Sequence, residues 1–84
     1  KINDWQSAYV KALLRQNKAS LQENITMWEN LIKRYGDNSG AYVRLAELYS
    51  RSGERRKAVN MAQAAFRLDP ESLETRSTLY VVGK

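Results

Sequence analysis

Two amphipathic runs joined by a short turn occupy residues 39–70, and they limit the possible folds more than any other part of the sequence. In the first run, apolar residues recur three and four positions apart, at Tyr42, Leu45, Ala46 and Tyr49. The second run carries small and large apolar residues with the same spacing, at Ala58, Ala62, Ala65, Phe66 and Leu68. This spacing is typical of one face of an α-helix. The segment therefore predicts two helices, and the small side chains of Ala46 and Ala58 would let their backbones approach closely.

Together with a turn at Ser52-Gly53 and a closing Asp69-Pro70, these positions resemble the tetratricopeptide repeat (TPR). The family pattern covers about 34 residues and runs W-x2-L-G-x2-Y, then A-x3-F, then P. The matching positions here are Tyr42, Leu45, Ala46, Tyr49, Gly53, Ala58 and Pro70. Ala62 stands where the family usually has an aromatic residue. The alternative interpretation is an ordinary helical hairpin.

The resemblance implies an all-α fold, in which antiparallel helical hairpins stack as a short right-handed TPR-like solenoid of about five helices. Residues 1–84 would then form a single domain, with 1–38 as a degenerate repeat and 39–72 as the complete repeat. Residues 73–84 would be a capping helix or the start of a next repeat. The degenerate repeat is indicated by apolar positions with the spacing of the complete one, at Trp5, Ala8, Tyr9 and Ala12, and by an aromatic at the second-helix position, Trp28.

Capping signals predict the ends of the first two helices. Asn3 or Asp4 is suited to cap the start of a first helix that extends to about residue 17. Ser20 and Glu23 form the S-x-x-E capping box, so a second helix is expected from about residue 21 to residue 35. Gly36 is well suited to a left-handed cap at its end.

Three further helices are predicted after this cap. The third is expected from about residue 40 to 52 and the fourth from about 54 to 68. Pro70 would mark the entry to a fifth helix from about 71 to 82, with Asp69 as its cap.

The residue types that most catalytic and metal sites need are missing from the sequence. There is no cysteine and no histidine, which removes disulfides, thiolate ligands and the commonest general base. Gly36 and Gly40 lack the lysine and the preceding strand of a phosphate-binding loop. No apolar run approaches the roughly 18 residues of a membrane span. We therefore expect a chain that is not an enzyme, needs no cofactor and carries no membrane-spanning segment.

The resemblance also implies a function, because stacked TPR hairpins line a concave face with their first helices and hold a partner peptide or helix there. The family positions that line this face are Val10, Leu13, Val43, Arg44, Glu47 and Ser50, with Gln6 and Ser7 as further matches in the first unit. Chaperone-binding members use a lysine/asparagine clamp for a C-terminal carboxylate, but here Val43 and Glu47 stand at those positions. We expect a protein–protein interaction module or scaffold whose partner is another protein or peptide, but not a chaperone tail.

A dense cluster of charge at residues 51–57 supports a second hypothesis. Its cations are Arg51, Arg55, Arg56 and Lys57, and the net charge of the chain is +5, which mildly favours acidic partners. On this basis the chain would be a basic helical-repeat module that binds nucleic acid. Aromatic residues are not interleaved with these charges, which disfavours single-stranded nucleic acid. The remaining interpretation is a solvated turn with local pairing to Glu54.

Both ends of the chain carry more apolar residues than one helix can turn inward. They are Val10, Leu13 and Leu14 near the start, and Leu79, Tyr80, Val81 and Val82 near the end. Burying such a side chain away from water stabilises the buried state by roughly 1.5–3 kcal/mol. We therefore expect either self-association through the terminal helices or a longer parent protein with further repeats.

Overall fold

Five α-helices make up the fold in a computed structural model, which describes residues 4–83; no strand occurs within that range. The helices are α1 (Asp4–Arg15), α2 (Leu21–Tyr35), α3 (Ser39–Arg51), α4 (Arg55–Leu68) and α5 (Leu73–Val82). The expected all-α class and the number of helices are confirmed. Asp4 is itself the first residue of α1, and the alternative cap, Asn3, lies outside the described residues.

The capping box at the start of α2 is confirmed in full. The Ser20 hydroxyl accepts a hydrogen bond from the Glu23 backbone N–H at 3.1 Å, and the Glu23 carboxylate accepts one from the Ser20 N–H at 2.9 Å. At the other end of α2, Gly36 has a φ of 92°, a conformation that glycine favours. Its ψ of −177° is not that of a left-handed helical residue, so the predicted cap type is wrong although the positive φ is present.

Two predicted helix starts need correction. Helix α3 begins at Ser39, because the Asn38 carboxamide accepts a hydrogen bond from the Ala41 N–H at 3.0 Å and so caps the helix. Helix α5 is capped by Ser72 rather than by Asp69, since the Ser72 hydroxyl accepts from the backbone N–H groups of two residues in its first turn. Asp69 instead ends α4, and its carbonyl accepts from the Thr75 hydroxyl at 2.6 Å.

Buried alanines lie on both helices of the α3–α4 pair, which are in extensive contact. Ala46, Ala58 and Ala62 are each no more than 1% exposed and belong to the main hydrophobic cluster. A methyl group occupies little space, so buried alanines allow two helices to pack closely. The burial expected of Ala46 and Ala58 is present.

Trp28 of α2 is the central residue of the core next to the hairpin formed by α1 and α2, and its side chain is fully buried. The Tyr9 ring from α1 meets the Trp28 ring edge-to-face with 5.1 Å between centroids. A side chain at Gly40 would clash with Tyr9, because an added Cβ would lie 2.7 Å from the Tyr9 hydroxyl. Tyr9 therefore places α1 against both α2 and the first turn of α3.

Helix α5 packs against both helices of the preceding hairpin, α3 and α4. Its buried side chains are Thr75, Thr78 and Val82, which lie three and four residues apart on one face. The other face of α5 therefore remains at the surface of the chain.

Candidate functional site

The surface bordered by α1, α3 and α5, called here the α1/α3/α5 face, contains most of the residues that the sequence assigned to a binding face. Arg44, Glu47 and Ser50 reach the surface of α3, whereas Val10 is exposed on α1 and Leu13 is half-buried. Val43 is an exception, since its exposure is 0%. Helices α2, α4 and α5 all pack on α3, so residues on more than one side of α3 are buried. The assignment of Val43 to a binding surface is therefore wrong.

Arg44 links two of the three helices of this face, α3 and α5. Its guanidinium contacts the Glu47 carboxylate at 3.0 Å within α3 and the Glu74 carboxylate at 2.8 Å on α5. Burial would lower the pKa of Arg44, but a hydrogen bond with Tyr9 of α1 and the charges of Glu47 and Glu74 raise it overall. Arg44 therefore stays charged and joins α3 to α5 through the Glu74 carboxylate.

Two clefts open on this face. A cleft of about 470 Å³ between α1 and the start of α3 is lined by Trp5, Gln6, Tyr9, Val10, Asn38, Ser39 and Gly40. A smaller one of about 180 Å³ between α3 and α5 is lined by Glu47, Ser77, Thr78, Val81 and Val82. Sequence reasoning found Gln6, Val10 and Glu47 but missed the contributions from Tyr9 and from α5. The three-residue spacing of Thr78 and Val81 places them on one side of α5, and this spacing could have indicated that α5 contributes to a cleft.

Hydrogen bonds from two tyrosines hold α3 to the segment before it. The Tyr49 hydroxyl donates to the Glu29 carboxylate of α2, and the Tyr42 hydroxyl donates to Asp37 at 2.8 Å. Burial, the hydrogen bond and the nearby carboxylate charge raise the pKa of both tyrosines. Each phenol therefore stays protonated at neutral pH, and we assign both residues a structural role.

The basic cluster around the α3–α4 turn is exposed, with Arg51, Arg55, Arg56 and Lys57 all at the surface. The Lys57 ammonium contacts the Glu54 carboxylate at 3.0 Å and also lies 5.5 Å from the centre of the Tyr49 ring. The local pairing expected for a solvated turn is therefore present. These contacts occupy one of the four cations and give no specific support to nucleic-acid binding.

The apolar residues at the two ends of the chain divide into buried and exposed sets. Val82 is buried, and Leu13 and Leu79 are partly buried against the core. The exposed members are Val10, Leu14, Tyr80 and Val81, which are 54%, 71%, 68% and 65% exposed. The terminal helices therefore leave apolar surface in contact with water, and self-association through them stays a prediction.

The described part of the chain contains neither a membrane-spanning helix nor a cluster of metal ligands. No helix there has the length and apolar character that crossing a membrane requires. Among the side chains of residues 5–83, no three of the types that bind metals lie together as a candidate metal site.

The chain matches no known protein-family model, and no curated protein matches it significantly. The resemblance to the tetratricopeptide repeat consequently rests on the residues of the 39–72 segment and their spacing.

Proposed function

We propose that this chain is a TPR-like interaction module that binds an extended or helical segment of a partner protein on the α1/α3/α5 face. The observation that carries the proposal is the cleft of about 470 Å³ between α1 and α3. Its wall includes Val10, an apolar side chain that is 54% exposed at the mouth of the cleft. An apolar cleft with a few polar groups at its rim is a common form of peptide-binding site.

The packing of the helices supports the proposed repeat architecture. Ala46 and Ala58 lie buried where the two helices of the complete repeat meet, as the family pattern requires. Helix α5 packs on both α3 and α4, which is the place of the first helix of a following unit. On this view α1, α3 and α5 are the first helices of successive units, and the face between them is the inner one.

The rigidity of the face also supports binding, since a preorganised site loses less conformational entropy when a partner docks. Arg44 connects α3 to the Glu74 carboxylate of α5 at 2.8 Å. This ion pair, together with the packing of α5 on α3, holds the side chains of these two helices in one arrangement.

The side chains on the face define the kind of partner. Val10 and the Tyr9 ring favour an apolar anchor residue in the larger cleft. Glu47 is negatively charged and already bound to Arg44, so it offers no donor to a C-terminal carboxylate. We therefore propose an internal segment with an apolar anchor as the ligand, and no carboxylate clamp.

Selection from a random peptide library against the purified chain, followed by affinity measurements on variants, tests the proposal. Val10→Asp should weaken selected peptides at least about tenfold, because it places a charge in the apolar contact. Leu14→Asp is the matched control, since Leu14 lies on the same helix, is exposed and is outside the cleft lining. The assignment would be contradicted if Val10→Asp and Leu14→Asp weakened peptide binding equally. It would also be contradicted if the selected peptides competed with single-stranded nucleic acid for binding to the chain.

A further inference from the structure

A second and separate depression runs between α1 and α2, called here the α1–α2 groove. It consists of two adjoining pockets of about 690 and 220 Å³ that share Arg15, Met27 and Asn30 in their linings. None of its lining residues lines the cleft between α1 and α3. The groove is therefore distinct from the α1/α3/α5 face.

The rim of the α1–α2 groove is strongly basic. Four cationic side chains line it, Lys11, Arg15, Lys18 and Arg34, and the lining includes a single carboxylate, that of Glu23. This carboxylate is engaged at the α2 capping box, where it accepts from the Ser20 N–H at 2.9 Å, and that hydrogen bond lowers the pKa of Glu23.

The cations of the rim have few partners of their own. Lys11, Arg15 and Lys18 form no salt bridge with any of residues 5–83. The Arg34 guanidinium lies 5.5 Å from the centre of the neighbouring Tyr35 ring. The positive charge of the rim is thus available to a ligand.

The floor of the groove is apolar. It is formed by Ala8, Ala12, Met27 and Leu31. Ala12 and Leu31 are almost fully buried, whereas Ala8 and Met27 are partly exposed and pack against the core. Met27 has a flexible side chain that adapts to different partner surfaces. An apolar floor between cationic walls is complementary to an amphipathic segment whose apolar stripe is flanked by carboxylates.

We propose that the α1–α2 groove binds an acidic amphipathic helix of a partner protein. Along α2 the groove extends from Gln22 to Tyr35, which at 1.5 Å per residue is about 20 Å. A partner helix of about 14 residues spans that distance. Its carboxylates meet Lys11, Arg15 and Arg34, while its apolar residues cover Met27 and Leu31.

The charge and the residues of the groove favour an acidic helix over two other possible ligands. A second copy of the chain carries the same net charge of +5 and would bring a like-charged rim against the groove, which disfavours self-pairing there. Single-stranded nucleic acid binds by stacking bases on aromatic side chains, and Tyr35 is the one aromatic in the lining. An acidic helix uses both the cations and the apolar floor.

The test uses a fluorescent helical peptide of about 14 residues with a leucine stripe flanked by glutamates, and binding is followed by anisotropy. A peptide with lysines in place of the glutamates and a poly-thymidine strand are the competing probes. The double variant Lys11→Glu/Arg15→Glu is compared with Arg55→Glu/Arg56→Glu. Both change the charge of the chain equally, but the second pair lies at the α3–α4 turn.

We expect the acidic peptide to bind and the lysine peptide to fail. The α1 double variant should lose at least about tenfold in affinity, and the turn variant should stay within about twofold of the unchanged chain. Methyl NMR signals of Met27 and Ala12 should shift on binding. Absence of binding, equal losses in the two double variants, or tighter binding of the poly-thymidine strand would each overturn the proposal.

A milder variant guards against loss of folding, because a glutamate at Arg15 opposes the dipole at the end of α1. Lys11→Gln/Lys18→Gln removes two rim charges at exposed positions without this conflict. It should weaken the acidic peptide by about threefold and leave the thermal transition in place. An unchanged affinity in this folded variant would also refute the role of the rim.

Discussion

Replacing Ala58 by leucine tests the packing between α3 and α4 most sharply. Ala58 is 1% exposed and lies in the same buried cluster as Ala46 and Ala62. Leucine adds three carbon atoms at a contact where the alanine side chain is already enclosed. Overpacking of this kind forces side chains off their rotamers or moves the backbone, and it typically costs about 1–3 kcal/mol.

The loss should be measured by urea denaturation and by thermal unfolding. For a domain of this size, each kcal/mol lowers the melting temperature by about 4–8 °C. Ala64→Leu is the matched control, since Ala64 is on the same helix and only half-buried. Its effect should be below about 0.5 kcal/mol. Equal stability of the Ala58→Leu variant and the unchanged chain would refute the assigned contact between the two helices.

Four other results are expected. Ser20→Ala should cost about 1 kcal/mol in urea denaturation, because it removes the hydroxyl that caps α2. Burial and its hydrogen bond raise the pKa of Tyr49 above its ordinary value of 10. The stability that Tyr49 contributes is therefore complete below pH 10 and is lost as the pH rises further. Tyr49→Phe should reduce the decrease in the free energy of unfolding that is measured as the pH rises above 10. Replacing Arg55, Arg56 and Lys57 by glutamine should leave the melting temperature unchanged or slightly higher. Three cations at the start of α4 oppose its dipole, and the exposed ion pair between Lys57 and Glu54 contributes little to stability. Light scattering at rising concentration should show self-association through the exposed apolar residues of the terminal helices, and a strict monomer would contradict that expectation.

Features that depend on a few neighbouring residues were predictable from the sequence. The second helix has the predicted limits because Ser20 and Glu23 cap it through bonds only three residues apart in the chain. The fifth helix was placed about two residues too early, because Asp69 and Ser72 are both good capping residues. Which of them caps α5 depends on how Thr75 packs and bonds, and a local pattern does not contain that information.

Features that depend on several packed helices were not predictable. The repeat pattern predicts Val43 at the surface, yet three other helices pack around α3 and bury it. The α1–α2 groove was also missed, although Lys11 and Arg15 stand four residues apart and so share one face of α1. The sequence shows that spacing, but only the packed hairpin shows that Arg34 borders the same depression.

The most direct test of the proposed function is an NMR map of the labelled chain with a library-selected peptide bound. The largest amide shifts are expected at Val10, Gly40 and Glu47, which line the clefts of the α1/α3/α5 face. Arg55 and Arg56, which line neither cleft, should be unaffected. Shifts confined to that turn, or spread evenly over the chain, would contradict the claim that this face is the partner-binding surface.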